Sequence, residues 1–398
     1  MTRAALVAPV RTAVGRFGGA LKDVSAVTLA TTVIKETVAR SGIDPELIEE
    51  VAMGQSYASS EAPCIGRWAA LDAGLPISVA GIQTDRRCGT GLQALVTAAM
   101  MVQTGAANVV VAGGVESMSN IEHYTTGARW GARSGGLNLY DRLDRGRERS
   151  QPVWRFGKIS GMIETAENVA EQCGITREDS DALAAESHRR AHAAWEAGRF
   201  DDEVVGVEVK DRKGNVTVVA RDEGIRPDST PESLAKLRSV TPGGVVTAGN
   251  ASQQNDAAAA LLVVAEDKLD EYGLEPIGFL EGWTAAGCDP ATMGLGPVAA
   301  TRKLFDRTGL GFDDVDLVEL NEAFACQVLG VLSQWGWDDR DKLNVNGSGI
   351  SLGHPIGATG VRMATTALHE LKRRGGGRAL VTMCIGGGQG MAASITTA

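Results

Sequence analysis

Several classes of protein are excluded by what this 398-residue chain lacks. It has no excess of basic residues: 39 Lys and Arg stand against 49 Asp and Glu, a formal net charge of -10, which disfavours a nucleic-acid or anionic-membrane partner. Its longest uninterrupted apolar run, Ala257 to Ala265, falls far short of the roughly 20 residues that span a bilayer, and no signal-peptide h-region opens the chain. The expectation is a cytoplasmic protein without a membrane partner. Six cysteines, at 64, 88, 173, 288, 326 and 384, include no Cys-x-x-Cys pair, so neither a disulfide framework nor a structural zinc site is expected. The one metal-like spacing, His188 and His192, lacks the intervening carboxylate; these are expected to be surface histidines, and no metal is expected. A Rossmann glycine fingerprint and a P-loop are both missing, which points away from hydride and phosphoryl transfer.

Glycine, by contrast, is plentiful at 50 residues and clusters after short β-branched runs, as at Gly113-Gly114 and Gly386-Gly387-Gly388. Apolar residues at Leu92, Leu95, Val96, Ala99 and Met100 have helical spacing, as do Val361, Ala364, Leu368 and Leu371. The two segments resemble each other. Thr90-Gly91-Leu92 matches Thr359-Gly360-Val361 at an offset of 269 (360 minus 91), and Ile48, Val51, Tyr57 and Ala58 match Val315, Val318, Phe324 and Ala325 at an offset of 267 (315 minus 48). This predicts an internal duplication into two α/β halves with mostly parallel sheets and the active site where they meet. The first half is expected over 1–120 plus 252–272 and the second over 273–398. Residues 121–251 have no counterpart and carry an arginine-rich run, which reads as an inserted domain whose basic face suits either the phosphates of an anionic ligand or solvent and subunit contacts.

Four groups carry candidate chemistry. Cys88 precedes Gly89-Thr90-Gly91 and a helix, where backbone N–H groups and the helix dipole favour a thiolate. His354, in the loop before the duplicated helix, is placed by the duplication near that thiol and suits a base that leaves Cys88 charged. Cys384 opens Cys-Ile-Gly-Gly-Gly-Gln-Gly, a turn able to form an oxyanion hole. Asn321 and Glu322 present an amide and a carboxylate at the end of a strand expected over 315–318. Claisen chemistry needs such a set: a nucleophile to hold an acyl group, a base for a proton alpha to a carbonyl, and donors for two oxyanions.

The stretches Cys-Gly-Thr-Gly-Leu-Gln-Ala at 88–94, Gly-Gly-Val-Glu-Ser-Met-Ser at 113–119, Asn-Glu-Ala-Phe-Ala at 321–325 and Asn-Gly-Ser-Gly-Ile-Ser-Leu-Gly-His-Pro-Ile-Gly-Ala-Thr-Gly at 346–360, together with the Cys384 motif, resemble those of thiolases over essentially the whole chain. The resemblance implies a five-layered α-β-α-β-α core with an inserted loop domain, and a homotetramer built as a dimer of dimers. It implies that Cys88 holds the acyl group, His354 activates it and Cys384 is the acid/base. One oxyanion hole would use His354 with a water on Asn321, the other the N–H groups of Cys88 and Gly386. Arg226, Ser233 and Ser252 fall at coenzyme A positions, Met162 at the position of the pocket Met, and Phe324 among the residues that bind substrate or coenzyme A. Coenzyme A enters as a substrate, with no permanent cofactor. Two departures stand out: Asp85-Arg86-Arg87 puts a charge where the family usually has an uncharged residue, and Gly161 precedes Met162 where acetoacetyl-CoA thiolases commonly have His. The acyl chain stays open among acetoacetyl, medium-chain 3-ketoacyl and 3-oxoadipyl. A decarboxylating ketosynthase would want a histidine at Asn321; a non-catalytic relative would have lost one of Cys88, His354 and Cys384; a thioesterase would leave Cys384 idle.

Overall fold

The computed structural model describes residues 2–398. The main sheet has eleven strands, two of them short pieces at Gly15–Arg16 and Val204–Val205 that pair off its path; the nine along the path are β1 (Ala4–Thr12), β2 (Glu50–Gly54), β3 (Ala80–Thr84), β4 (Val109–Ser117), β5 (Asn255–Ala265), β6 (Gly278–Gly287), β7 (Leu317–Leu320), β8 (Arg378–Ile385) and β9 (Gln389–Thr397). Their order across the sheet is β7-β8-β9-β6-β1-β5-β4-β2-β3. The duplication is visible in it: β2, β3 and β4 belong to the first half, β6 to β9 to the second, and the halves join where Ala4, Ala5 and Leu6 pair with Leu280, Phe279 and Gly278.

The apolar run 257–265 is explained by β5, which is buried on both faces. Ala259, Leu261, Val263 and Ala265 pack on one side and Ala258, Ala260, Leu262 and Val264 on the other, the period of two of a strand with no wet face. The first set meets two central helices, Thr90–Gln103 and Thr359–Arg373, which also receive Leu317, Val381, Met383 and Ala393 from the second half. The second set meets the outer helices Ala26–Ser41 and Ile65–Asp72. On the far side of the second half, helices Gly296–Thr308 and Ala325–Trp335 close the structure. Helix, sheet, paired helices, sheet and helix make the five layers.

The sheets are not mostly parallel, contrary to the sequence expectation. Among the nine strands only β2–β3, β2–β4 and β7–β8 run parallel. The tight turn Gly386–Gly388 forces β8 and β9 antiparallel, because so short a connection cannot cross over. Residues 121–251 return the chain so that β5 lies antiparallel to β4. That segment holds helices Arg142–Glu148, Met162–Cys173 and Arg177–Glu196, the last opened by a Thr176–Asp179 capping box. The strand expected at 315–318 lies instead at Leu317–Leu320, the counterpart of β2 at the same offset of 267.

The two central helices touch through the duplicated glycines. A Cβ on Gly91 would lie 2.8 Å from the Gly357 carbonyl oxygen and 3.0 Å from the Val361 nitrogen, and one on Gly360 would drive into the Leu92 backbone. Backbone sits on both sides, so no side chain can yield. Gly360→Ala should therefore destabilise the fold by about 1–3 kcal/mol, read as a lower midpoint in thermal or denaturant unfolding; an unchanged midpoint would refute this close approach.

Candidate active site

Both central helices begin at one end of the sheets, and the loops leading into them wall a cavity of about 440 Å³. Cys88, His354 and Gly386 line it together with Met162, Ser252 and Phe324, so six of the residues singled out from sequence meet there. Asn321 and Cys384 are buried immediately behind: Asn321 lies against the His354 ring, and Cys384 packs with Met162, Phe324 and Met293. Arg226 and Ser233 do not reach the cavity. The Arg226 side chain is exposed while its backbone N–H donates to His188 Nδ1 (3.2 Å), and the Ser233 hydroxyl donates to the Thr230 carbonyl in a helix cap.

Cys88 sits in a short 3-10 turn, Arg87–Gly89, directly before the first central helix. The turn is held by the Arg87 N–H donating to Asp85 Oδ1 (2.7 Å) and the Arg86 N–H donating to Thr90 Oγ1 (2.7 Å). Arg87 adopts φ +48°, a left-handed conformation that costs a residue with a Cβ on the order of 1–3 kcal/mol. Burial raises the thiol pKa, opposed by a hydrogen bond from the Gly386 N–H and by the charges of Arg87 and Arg147.

His354 is fixed from three sides. Its N–H donates to Asn255 Oδ1 (2.8 Å), Nδ1 lies 2.7 Å from Thr359 Oγ1, and the Asn321 amide nitrogen is 3.5 Å from both ring nitrogens. Thr359 spends its own hydroxyl proton on the Pro355 carbonyl (2.9 Å), so it accepts from Nδ1–H and leaves Nε2 with a free lone pair. Burial, reinforced by Arg362 and Arg147, pushes the imidazolium pKa down to about 3. Both shifts favour the neutral forms, a protonated Cys88 and an uncharged His354. Cys384 is driven well above the ordinary thiol range by burial and then by the neighbouring Cys88, which keeps a proton on its sulfur.

Other expectations are corrected. The Glu322 carboxylate does not face the cavity: it accepts from the Ser187 hydroxyl (2.6 Å), Asn344 (3.0 Å) and the Ile350 N–H (3.2 Å), tying loops together. His188 is buried rather than on the surface, and burial pushes its pKa down to about 4. Among the described residues no group of three potential ligands could hold a metal ion.

Sequence reasoning missed Glu116, Asn255 and Thr359. Glu116 accepts from the N–H groups of Ser56 (3.1 Å), Tyr57 (3.3 Å) and Gly357 (3.0 Å), joining the wall of one half to the histidine loop of the other. Its motif was visible at 113–119, and Thr359 is the duplicate of Thr90; nothing local marks Asn255.

Residues 4–267 match the family description "Thiolase, N-terminal domain" and residues 274–397 "Thiolase, C-terminal domain". The chain belongs to the thiolase family. It is 44% identical to an acetyl-CoA acetyltransferase of Chromobacterium violaceum, covering 98% of each chain. To a 3-oxoadipyl-CoA/3-oxo-5,6-dehydrosuberyl-CoA thiolase of Escherichia coli it is 43% identical, covering 96% of each. The crystal structure of a Bacillus anthracis acetyl-CoA acetyltransferase superposes with a TM-score of 0.96 at 43% identity, over 100% of this chain and 99% of that one. Human mitochondrial 3-ketoacyl-CoA thiolase in complex with CoA gives 0.93 at 37%, over 100% and 98%. This thiolase is therefore an acyltransferase that acts on CoA thioesters by Claisen cleavage or condensation, with coenzyme A as a substrate.

The neutral pair has a kinetic signature. Alkylation of Cys88 by iodoacetamide should accelerate with pH through and beyond 9.0, the ordinary thiol value, without an inflection at 6.5, the ordinary imidazole value. A plateau reached below neutrality would mean a preformed thiolate and sink this assignment.

Proposed function

We propose that in thiolysis Cys88 attacks the 3-keto carbon of a 3-ketoacyl-CoA while His354 Nε2 takes its proton. The bond between the second and third carbons breaks, acetyl-CoA leaves as an enolate, and the Cys384 thiol protonates that enolate. Coenzyme A gives its thiol proton to the Cys384 thiolate and attacks acyl-Cys88, the shortened acyl-CoA leaves, and the freed Cys88 sulfur recovers its proton from His354; condensation runs the same steps backwards. The observation that carries this reading is convergence: a thiol, an imidazole lone pair and the Gly386 N–H meet in one cavity, with a second protonated thiol directly behind. The ketone oxygen would lie toward His354 and a water held by Asn321, the thioester oxygen toward the N–H groups of Cys88 and Gly386.

Ser252, on the cavity wall, would flank the pantetheine arm, with Arg226 and Ser233 further out toward the phosphates. In this reading residues 121–251 form the insertion that receives coenzyme A, between a first half of 1–120 plus 252–272 and a second of 273–398. Met162 and Phe324 bound the acyl group, which is drawn from acetoacetyl-CoA, a medium-chain 3-ketoacyl-CoA or 3-oxoadipyl-CoA, the first and last by analogy with the relatives' names. Side chains supply every proton transfer, so the reaction asks for no resident cofactor. We place the enzyme in the cytoplasm, in fatty-acid or related acyl-CoA metabolism, as a homotetramer. The free edge of β3 and the exposed Ile77, Trp130, Leu139 and Trp154 favour assembly.

Cys88→Ser should lower CoA-dependent cleavage of acetoacetyl-CoA by about a thousandfold or more and abolish the acyl-enzyme seen by intact mass; Cys384→Ala should still acylate but lose condensation. Normal turnover in either variant would overturn the mechanism.

A further inference from the structure

The cavity has a feature that a 3-ketoacyl chain ending in a methyl group does not need. Two guanidinium groups, of Arg87 and Arg147, stand in its wall beside the nucleophile. Arg87 runs past the oxyanion turn, its Cδ 3.7 Å from where a Cβ on Gly386 would be, and donates to the Gly146 carbonyl (3.3 Å) next to Arg147. Among the described residues no carboxylate pairs with the Arg87 guanidinium; Asp85 takes its backbone N–H instead. Arg147 is only 27% exposed, and its one ion-pair partner, Asp144, is 70% exposed at 3.3 Å. Glu148, also on the wall, is exposed. Asp144 and Glu148 thus share the wall with the two arginines but are the more exposed of the four.

Tyr57 completes the group. It lies against Gly146 and lines the cavity, and its hydroxyl has no hydrogen-bond partner among the described residues. Space is left beside them: a Cβ on Gly161 would meet only the Arg147 Cβ, at 4.0 Å.

We infer that Arg87 and Arg147, with the Tyr57 hydroxyl, form an anion subsite for a carboxylate at the far end of the acyl chain, so that this thiolase prefers 3-ketoacyl-CoA substrates with an ω-carboxylate. The inference rests on the proposed role of Cys88. Thiolysis leaves on Cys88 the part of the substrate beyond the 3-keto carbon, and that part carries the tail; a carboxylate there must lie in the cavity at the thiol. The phosphates of coenzyme A are not the ligand for these charges, because the pantetheine arm holds them away from the reacting carbon. Both arginines line the cavity that holds the Cys88 thiol, where the acyl group is carried. A guanidinium pair with a phenol suits a carboxylate through charge-assisted hydrogen bonds.

The test compares 3-oxoadipyl-CoA with 3-ketohexanoyl-CoA, which share a six-carbon chain and differ in a terminal carboxylate against a methyl group. The purified enzyme should favour the first in kcat/KM by on the order of tenfold to a hundredfold, the scale of hydrogen bonding to a charged group. In Arg147→Gln and Arg87→Gln this ratio should collapse toward one, and Arg147→Lys should restore part of it. Any effect of the lost charge on Cys88 cancels in the ratio, since both substrates react at the same sulfur. No preference in the unaltered enzyme, or a preference that survives both Gln substitutions, overturns the subsite and leaves the thiolase reading intact. Failure to cleave either substrate or acetoacetyl-CoA overturns both.

Discussion

The structure depends on the contact between the first turns of its two central helices. Gly91 and Gly360 are the same residue in two copies of one ancestral unit, and each fits only because the other half's backbone occupies the space of a side chain. Everything that reacts is measured from that contact. Cys88 lies three residues before one glycine and His354 six before the other, so the approach of the backbones sets the separation of thiol and imidazole. Glu116 strengthens the joint by binding N–H groups from both halves. A catalytic pair shared between two halves needs rigid registration, and backbone packed on backbone gives it with no rotamer to slip.

The sequence makes Cys88, His354 and Cys384 legible for a physical reason: each sits in a glycine-rich turn that ends or begins a regular element, and such turns have few uses besides presenting backbone donors. The duplication makes the central helices and the relation of Tyr57 to Phe324 legible as well. What it hides is whatever arises from elements distant in the chain. Asn255 holds the His354 loop from the far end of β5, and His188 is covered by a loop nearly forty residues later, as no local pattern reports. Strand direction is hidden too, because alternating strands and helices suggest crossovers, whereas the insertion and the triple-glycine turn reverse the chain.

Charge around the site follows one pattern. Glu322 is fully engaged in tying loops together, and the two carboxylates that do line the cavity, Asp144 and Glu148, are solvent-exposed, whereas its thiol, imidazole, phenol and guanidinium groups are more buried. Such a wall suits anions that form and vanish during reaction. The enolate and the tetrahedral oxyanions meet donors, while the carboxylates of the wall stay solvated.

The neutrality of the Cys88–His354 pair has a consequence between turnovers. Peroxides and other scavengers of sulfur attack thiolates, and a sulfur that keeps its proton until a carbonyl arrives presents little to them. The same burial that opposes ionisation therefore also opposes oxidation of the idle sulfur.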